Sequence, residues 1–140
     1  MVDAPIVLSD VNYADVVVVG RVSEYNIIET DPAGRPTWNY ARFVVDIDEV
    51  LVGSVPDRIS VTWDNSTFEL PLEMSAGPFL IALRLPSSAT PPLRGPSATV
   101  LPNRDPDLLA VLQAPCADPF IFEQSSEEAR SIRELIAAQR

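Results

Sequence analysis

Four consecutive valines, Val16, Val17, Val18 and Val19, run into Gly20, Arg21 and Val22, and no other segment limits the fold as tightly. β-Branched side chains lose rotamer freedom in a helix and pack well on a pleated surface. Ala14–Tyr25 therefore reads as a strand. Side chains alternate between the two faces of a strand, so a run that is apolar at every position must be covered on both. Gly20 inside the pattern predicts a bulge or sharp bend. A strand that bends midway can belong to two sheets at once, which is how small barrels close.

Trp38–Val52 reads as a second long strand. Phe43, Val45 and Ile47 share one face; Arg42, Asp46 and Asp48 share the other, with Val44 among them. The apolar phase then moves to Val50 and Val52. Alternation is strict, so the slip predicts a bulge near Asp48–Glu49. Arg58–Asp64 alternates cleanly, with Ile59, Val61 and Trp63 inward. Thr67–Leu70 is a candidate short strand, and Pro78–Leu85 alternates again. These segments supply five candidate strands by residue 85.

The rest of the chain reads as connections and helices. Asp10–Tyr13 is a turn or short helical turn, and Asp31–Pro36 is a turn-rich connector. Pro86–Pro96 holds four prolines and reads as a loop with little regular structure. Ala98–Leu101 is a candidate extra strand. Asp105–Leu112 has the start of a short helix, with Asp105 as N-cap and Pro106 in the first turn. Phe120–Phe122 reads as an edge strand. Ser125 followed by Glu128 matches a capping box, and Ala129, Ile132, Leu135 and Ile136 form one apolar helical stripe. One domain spans residues 1–140: a barrel over 14–85, a proline-rich loop and connector over 86–124, and an amphipathic α-helix over 125–139.

Composition narrows the chemistry. The 140 residues contain no His and no Lys; all ten basic residues are Arg, against twenty carboxylates, for a formal charge of −10. Without His there is no Ser–His–Asp triad, no Cys–His pair and no imidazole metal ligand. With Cys116 alone there is no internal disulfide and no thiolate zinc cluster. The acidic balance repels phosphates and argues against nucleic acid. No apolar run is long enough for a spanning helix. The start, Met1 to Pro5, shows no signal peptide. No cofactor is implied.

The order of segments resembles a known pattern. Ala14–Asp15–Val16–Val17–Val18–Val19–Gly20–Arg21–Val22 is followed by Ala41–Arg42–Phe43–Val44–Val45–Asp46–Ile47–Asp48–Glu49–Val50–Leu51–Val52–Gly53. The strand at Ile59–Trp63 comes next, and then Ala76–Gly77–Pro78–Phe79–Leu80–Ile81–Ala82–Leu83. This resembles the bacterial form of the TIMP-like, netrin-like OB-fold family, over roughly residues 14–85. The resemblance implies a mainly β fold, a five-stranded Greek-key barrel, and a periplasmic or secreted setting. In TIMP proteins an N-terminal Cys reaches a protease's zinc; here position 1 is Met, so no inhibitory residue transfers.

Several residues are candidate sites. Trp38 and Tyr40 have the parity opposite to Phe43, Val45 and Ile47, which points them outward. With Arg42 and Trp63 they form the expected binding face, since OB-folds use their strand 2–3 face for ligands. Asp64, Asp46 and Asp48 share an outer face and raise a Ca²⁺ reading, without an EF-hand pattern. Cys116, in Ala-Pro-Cys-Ala-Asp-Pro, reads as a small core residue or an intermolecular disulfide partner. Asn65–Ser66–Thr67 matches a glycosylation sequon and reads as a turn. The expected function is a non-catalytic module contacting a protein partner. The alternatives are protease inhibition through the Pro86–Pro96 loop and a carboxylate-based enzyme.

Overall fold

The computed structural model describes residues 7–28, 40–64, 70–85, 87–88, 107–113 and 119–139. A 3-10 helix, Leu8–Tyr13, leads into β1 (Val16–Ile28), β2 (Tyr40–Val52), β3 (Arg58–Asp64), β4 (Phe79–Arg84), β5 (Leu109–Val111), β6 (Ile121–Glu123) and α1 (Glu127–Ala138). Strand order is β1-β2-β3-β5-β4, and β4 returns to β1, which closes a five-stranded barrel. β3 and β5 run parallel; the other pairings are antiparallel. This is the expected OB-fold-like architecture.

The fifth strand is not where the sequence places it. Leu70 lies outside any strand, and residues 67–69 lie outside the described ones. The barrel is closed instead by Leu109–Val111, inside the segment expected to be helical from Asp105 to Leu112. Val61 pairs Leu109 on one side, and Leu83 pairs Val111 on the other. Two neighbouring strand edges offer this short segment more hydrogen bonds than one helical turn would, so context overrides its helix-start signal. The barrel therefore extends beyond residue 85. The Ala98–Leu101 strand expectation lies outside the described residues. The expected edge strand at Phe120–Phe122 is β6, one residue later, against β4.

The valine run is buried on both faces, as its composition requires. Val16 and Val18 point into the barrel with Phe43, Val45, Val61, Ile81 and Leu83. Val17 and Val19 point outward into a second core with Leu80, Ala82, Leu112, Phe120, Ala129 and Ile132. That second core is the underside of α1 and of the 3-10 helix. The expected bends are present. Register shifts between Val19 and Gly20, where Glu49 pairs Val19 and Ile47 pairs Gly20, leaving Asp48 as the extra residue. A Cβ at Gly20 would stand 2.5 Å from the Asp46 carbonyl oxygen, so only glycine allows this approach. Register also shifts between Val17 and Val18, and a third shift follows Ser23, where Glu24 adopts φ 54°.

The helix cap differs by one position from the expected capping box. Ser125 lies in the turn closed by the Ser126 N–H donating to the Glu123 carbonyl at 2.9 Å. Ser126 is the N-cap: its Oγ accepts from the Ala129 N–H at 3.1 Å. Among the described residues no helix is long and apolar enough to cross a membrane.

Candidate functional site

α1 covers one side of the barrel, and the outer face of β1, β2 and β3 carries exposed Arg21, Asn26, Arg42, Arg58 and Ser60 beside buried Tyr40 and Thr62. Cross-strand register fixes its rows. Asn26, Arg42 and Thr62 stand abreast; Ser23, Val44 and Ser60 form the next row; Arg21, Asp46 and Arg58 form the third. The middle row is small and nearly flat. The third row is a charge band. Arg58 donates from Nη1 to Asp46 at 2.9 Å and from Nη2 to Glu24 at 2.8 Å. Arg21 Nε lies 3.7 Å from Asp48. The bulge after Ser23 is what brings the Glu24 carboxylate over β3. Left-handed backbone costs a non-glycine residue about 1–2 kcal/mol.

The expected site residues divide. Arg42 is exposed on this face, with its guanidinium carbon 5.8 Å from the Tyr40 ring centroid and its Nη2 3.4 Å from the Tyr40 hydroxyl. Tyr40 keeps the outer parity but is only 7% exposed, so it supports Arg42 and offers little surface of its own. Trp63 faces the barrel core at 8% exposure, and its Nε1–H donates to the Gln113 side-chain oxygen at 3.0 Å. The expectation that Trp63 joins the outer face is thereby corrected: its odd-numbered neighbours already pointed inward. Trp38 lies outside the described residues.

Two of the three aspartates are held by arginines. Asp46 and Asp48 are engaged by arginines, as above, and the Asp64 side chain lies outside the described residues. Among the described residues no three metal-type ligands converge. Cys116, the Asn65–Ser66–Thr67 sequon and the Asp31–Pro36 connector also lie outside them, as does most of Pro86–Pro96.

Sequence reasoning missed a device at the start of that proline-rich segment. Asp15 Oδ2 accepts from the Leu85 N–H at 2.7 Å and from the Ser88 hydroxyl at 2.5 Å. Arg84, almost fully buried, donates towards the Leu85 and Ser88 carbonyls at 3.4 and 3.5 Å. Opposite charges thus hold one turn from two sides. No local pattern links Asp15 to Ser88; only the β1–β4 pairing brings them together. At the barrel's mouth the Tyr25 hydroxyl donates to the Pro71 carbonyl at 2.7 Å, and burial pushes its pKa up to about 12.

In comparisons with known proteins, no family model matches the chain and no curated protein matches it.

Proposed function

We propose that this chain is a non-catalytic binding module that contacts a protein partner through the outer face of β1, β2 and β3. One observation carries the reading. The outer face of β1, β2 and β3 presents an exposed arginine stacked on a buried tyrosine. Tyrosine and arginine are the residue types that most often anchor protein interfaces. A support of this kind lowers the entropy lost when the arginine engages a partner. The exposed residues of the face are polar and charged, which suits a macromolecule better than a small ligand. Its three carboxylates, in a chain of charge −10, disfavour nucleic acid. The cell-envelope setting rests on the TIMP-like resemblance.

The test is capture from envelope, membrane and cytoplasmic extracts by the tagged chain. Arg42→Ala and Trp38→Ala should each reduce capture by about tenfold, while Arg130→Ala on α1 should not. Unchanged capture with Arg42→Ala would place the site elsewhere.

Protease inhibition through Pro86–Pro96 is the second reading. The turn held by Asp15 and Arg84 favours it, because a fixed exit from β4 restrains the segment that follows. Loss of a protease's activity with that segment left uncut is the expected result; cleavage without inhibition would sink it.

A further inference from the structure

We infer that the apolar layer beneath α1 is a binding site for an amphipathic helix, with α1 as its resident and removable cover. The site is separate from the outer face of β1, β2 and β3. Two features make the cover separable. First, the two cores have no residue in common among the described ones. Val16, Val18, Phe43, Val45 and Ile81 help fill the barrel, while Val17, Val19, Leu80, Ala82 and Phe120 line the layer. α1 takes no part in strand pairing, so the barrel's hydrogen bonds stay closed when the helix leaves.

Second, α1 is lightly held. Its fully buried residues are Ala129 and Ile132; Leu135 and Ile136 pack at the edges. Across the joint Arg133 donates to the Glu49 carboxylate, and Gln139 Nε2 donates to Asn12 Oδ1. Both contacts are exposed, where water and salt weaken such ties. The first turn carries Glu127 and Glu128, but the last turn has no basic residue, so the C-terminal end of the helix dipole gains no support there. The turn from Gln124 to Ser126 joins α1 to β6 and serves as the hinge.

What the cleared site accepts follows from what it holds now. The strip along β1 and β4 is apolar, and Glu49 at its rim is free to take another cation once Arg133 has gone. α1 meets these demands with Ala129, with Ile132 and Ile136 three and seven positions further on, and with Arg133. The ligand class is therefore an amphipathic helix carrying a small residue, two branched aliphatics at those spacings and a basic residue beside the first of them. The chain's net charge of −10 adds to the preference for a basic helix.

The probe is a fluorescent synthetic peptide of residues 125–140, titrated by anisotropy with the full chain from about 10 μM to about 1 mM. Against the wild type it competes with a tethered copy of itself, so its apparent Kd should lie near about 1 mM. Ile132→Ala in the chain weakens the resident helix and should tighten peptide binding by about tenfold or more. Ile136→Ala should tighten it less. Ile132→Asp in the peptide should abolish binding, and Arg133→Glu in the peptide should weaken it by about tenfold. A further variant holds the cover shut. Asn12→Cys and Gln139→Cys, in a Cys116→Ser chain, place thiols on the two sides of an existing contact, and a short bismaleimide joins them. The joined chain should lose the peptide, and the unjoined one should keep it. Arg42→Ala should leave peptide binding unchanged. Circular dichroism of each variant checks that the barrel is intact. No binding to the Ile132→Ala chain, binding no tighter there than to the wild type, or binding indifferent to the linker or to Ile132→Asp in the peptide, overturns the inference. So does loss of binding with Arg42→Ala, which would put the peptide on the outer face instead.

Discussion

The two halves of β1 share one backbone and carry opposite surfaces. Before Gly20, Val16 and Val18 fill the barrel while Val17 and Val19 fill the layer beneath α1. After Gly20, Val22 still faces the barrel, but Arg21, exposed, and Ser23, half-buried, face outward away from that layer. The inward residues hardly change in character; the outward ones change completely. What decides the outward residue is whether another element lies over that stretch of strand. A barrel interior asks the same of every strand, whereas the outer surface is zoned.

The most direct way to break this comparison is to put the second half's chemistry into the first. Val19→Arg forces a guanidinium into the apolar layer beneath α1. The cost should be about 4 kcal/mol or more, enough to leave much of the chain unfolded at 25 °C. Val44→Ala, on the open side, should cost under ~1 kcal/mol. Urea titrations followed by circular dichroism would compare the two, and a tolerated Val19→Arg would mean α1 does not seal that face.

Ile132→Ala tests the same seal from the helix side. Ile132 is fully buried against Val17, Val19 and Leu80, and truncation should cost about 3 kcal/mol. Ile136, partly exposed at the same layer's edge, should cost visibly less when truncated. Equal losses at the two positions would show that the helix packs less tightly at its centre than its burial indicates.

Some of this zoning is legible in the sequence and some is not. The valine run announces two-sided burial because alternation admits no other reading. The phase slip from Ile47 to Val50 announces the bulge at Asp48 for the same reason. β5 is illegible because three residues carry too little pattern, and Asp105–Pro106 offers a competing helix start. The face parity of Tyr40 and Arg42 was readable, since parity is local. The burial of Tyr40 was not, because it depends on what lies over the strand. Trp63 shows the reverse error: its parity placed it inside, and an argument from residue type moved it outward.

Gly20→Ala sharpens the comparison at the boundary itself. An added methyl would stand 2.5 Å from the Asp46 carbonyl oxygen and 2.7 Å from a Val45 methyl. β1 and β2 would have to separate where the bulge turns the sheet. Overpacking of this kind costs about 2 kcal/mol. The Tm should fall, and capture by the open face should fall with it, because that face begins one residue later. A stable variant with unchanged capture would show that the bend is set by the Asp48 bulge alone.

The smallest effect joins the two zones. Arg133 on α1 donates to both carboxylate oxygens of Glu49 on β2, at 2.7 and 3.3 Å. That hydrogen bond, helped by the opposite charge, holds the Glu49 carboxyl below its ordinary 4.5. The folded value lies below the unfolded one, so the pair's stabilisation is complete above pH 4.5 and fades as pH falls through the folded value. Both side chains remain substantially exposed, at 33% and 47%, so solvent screening limits the term to under ~1 kcal/mol. Arg133→Gln should therefore lower unfolding free energy by about 0.5 kcal/mol at pH 7 and by almost nothing at about pH 3 or in about 1 M salt. A deficit that survives acid and salt would mean that Arg133 acts through its aliphatic stem, packed beside Ile136 and Val50, and that apolar cover, not charge, ties the helix to the edge of the open zone.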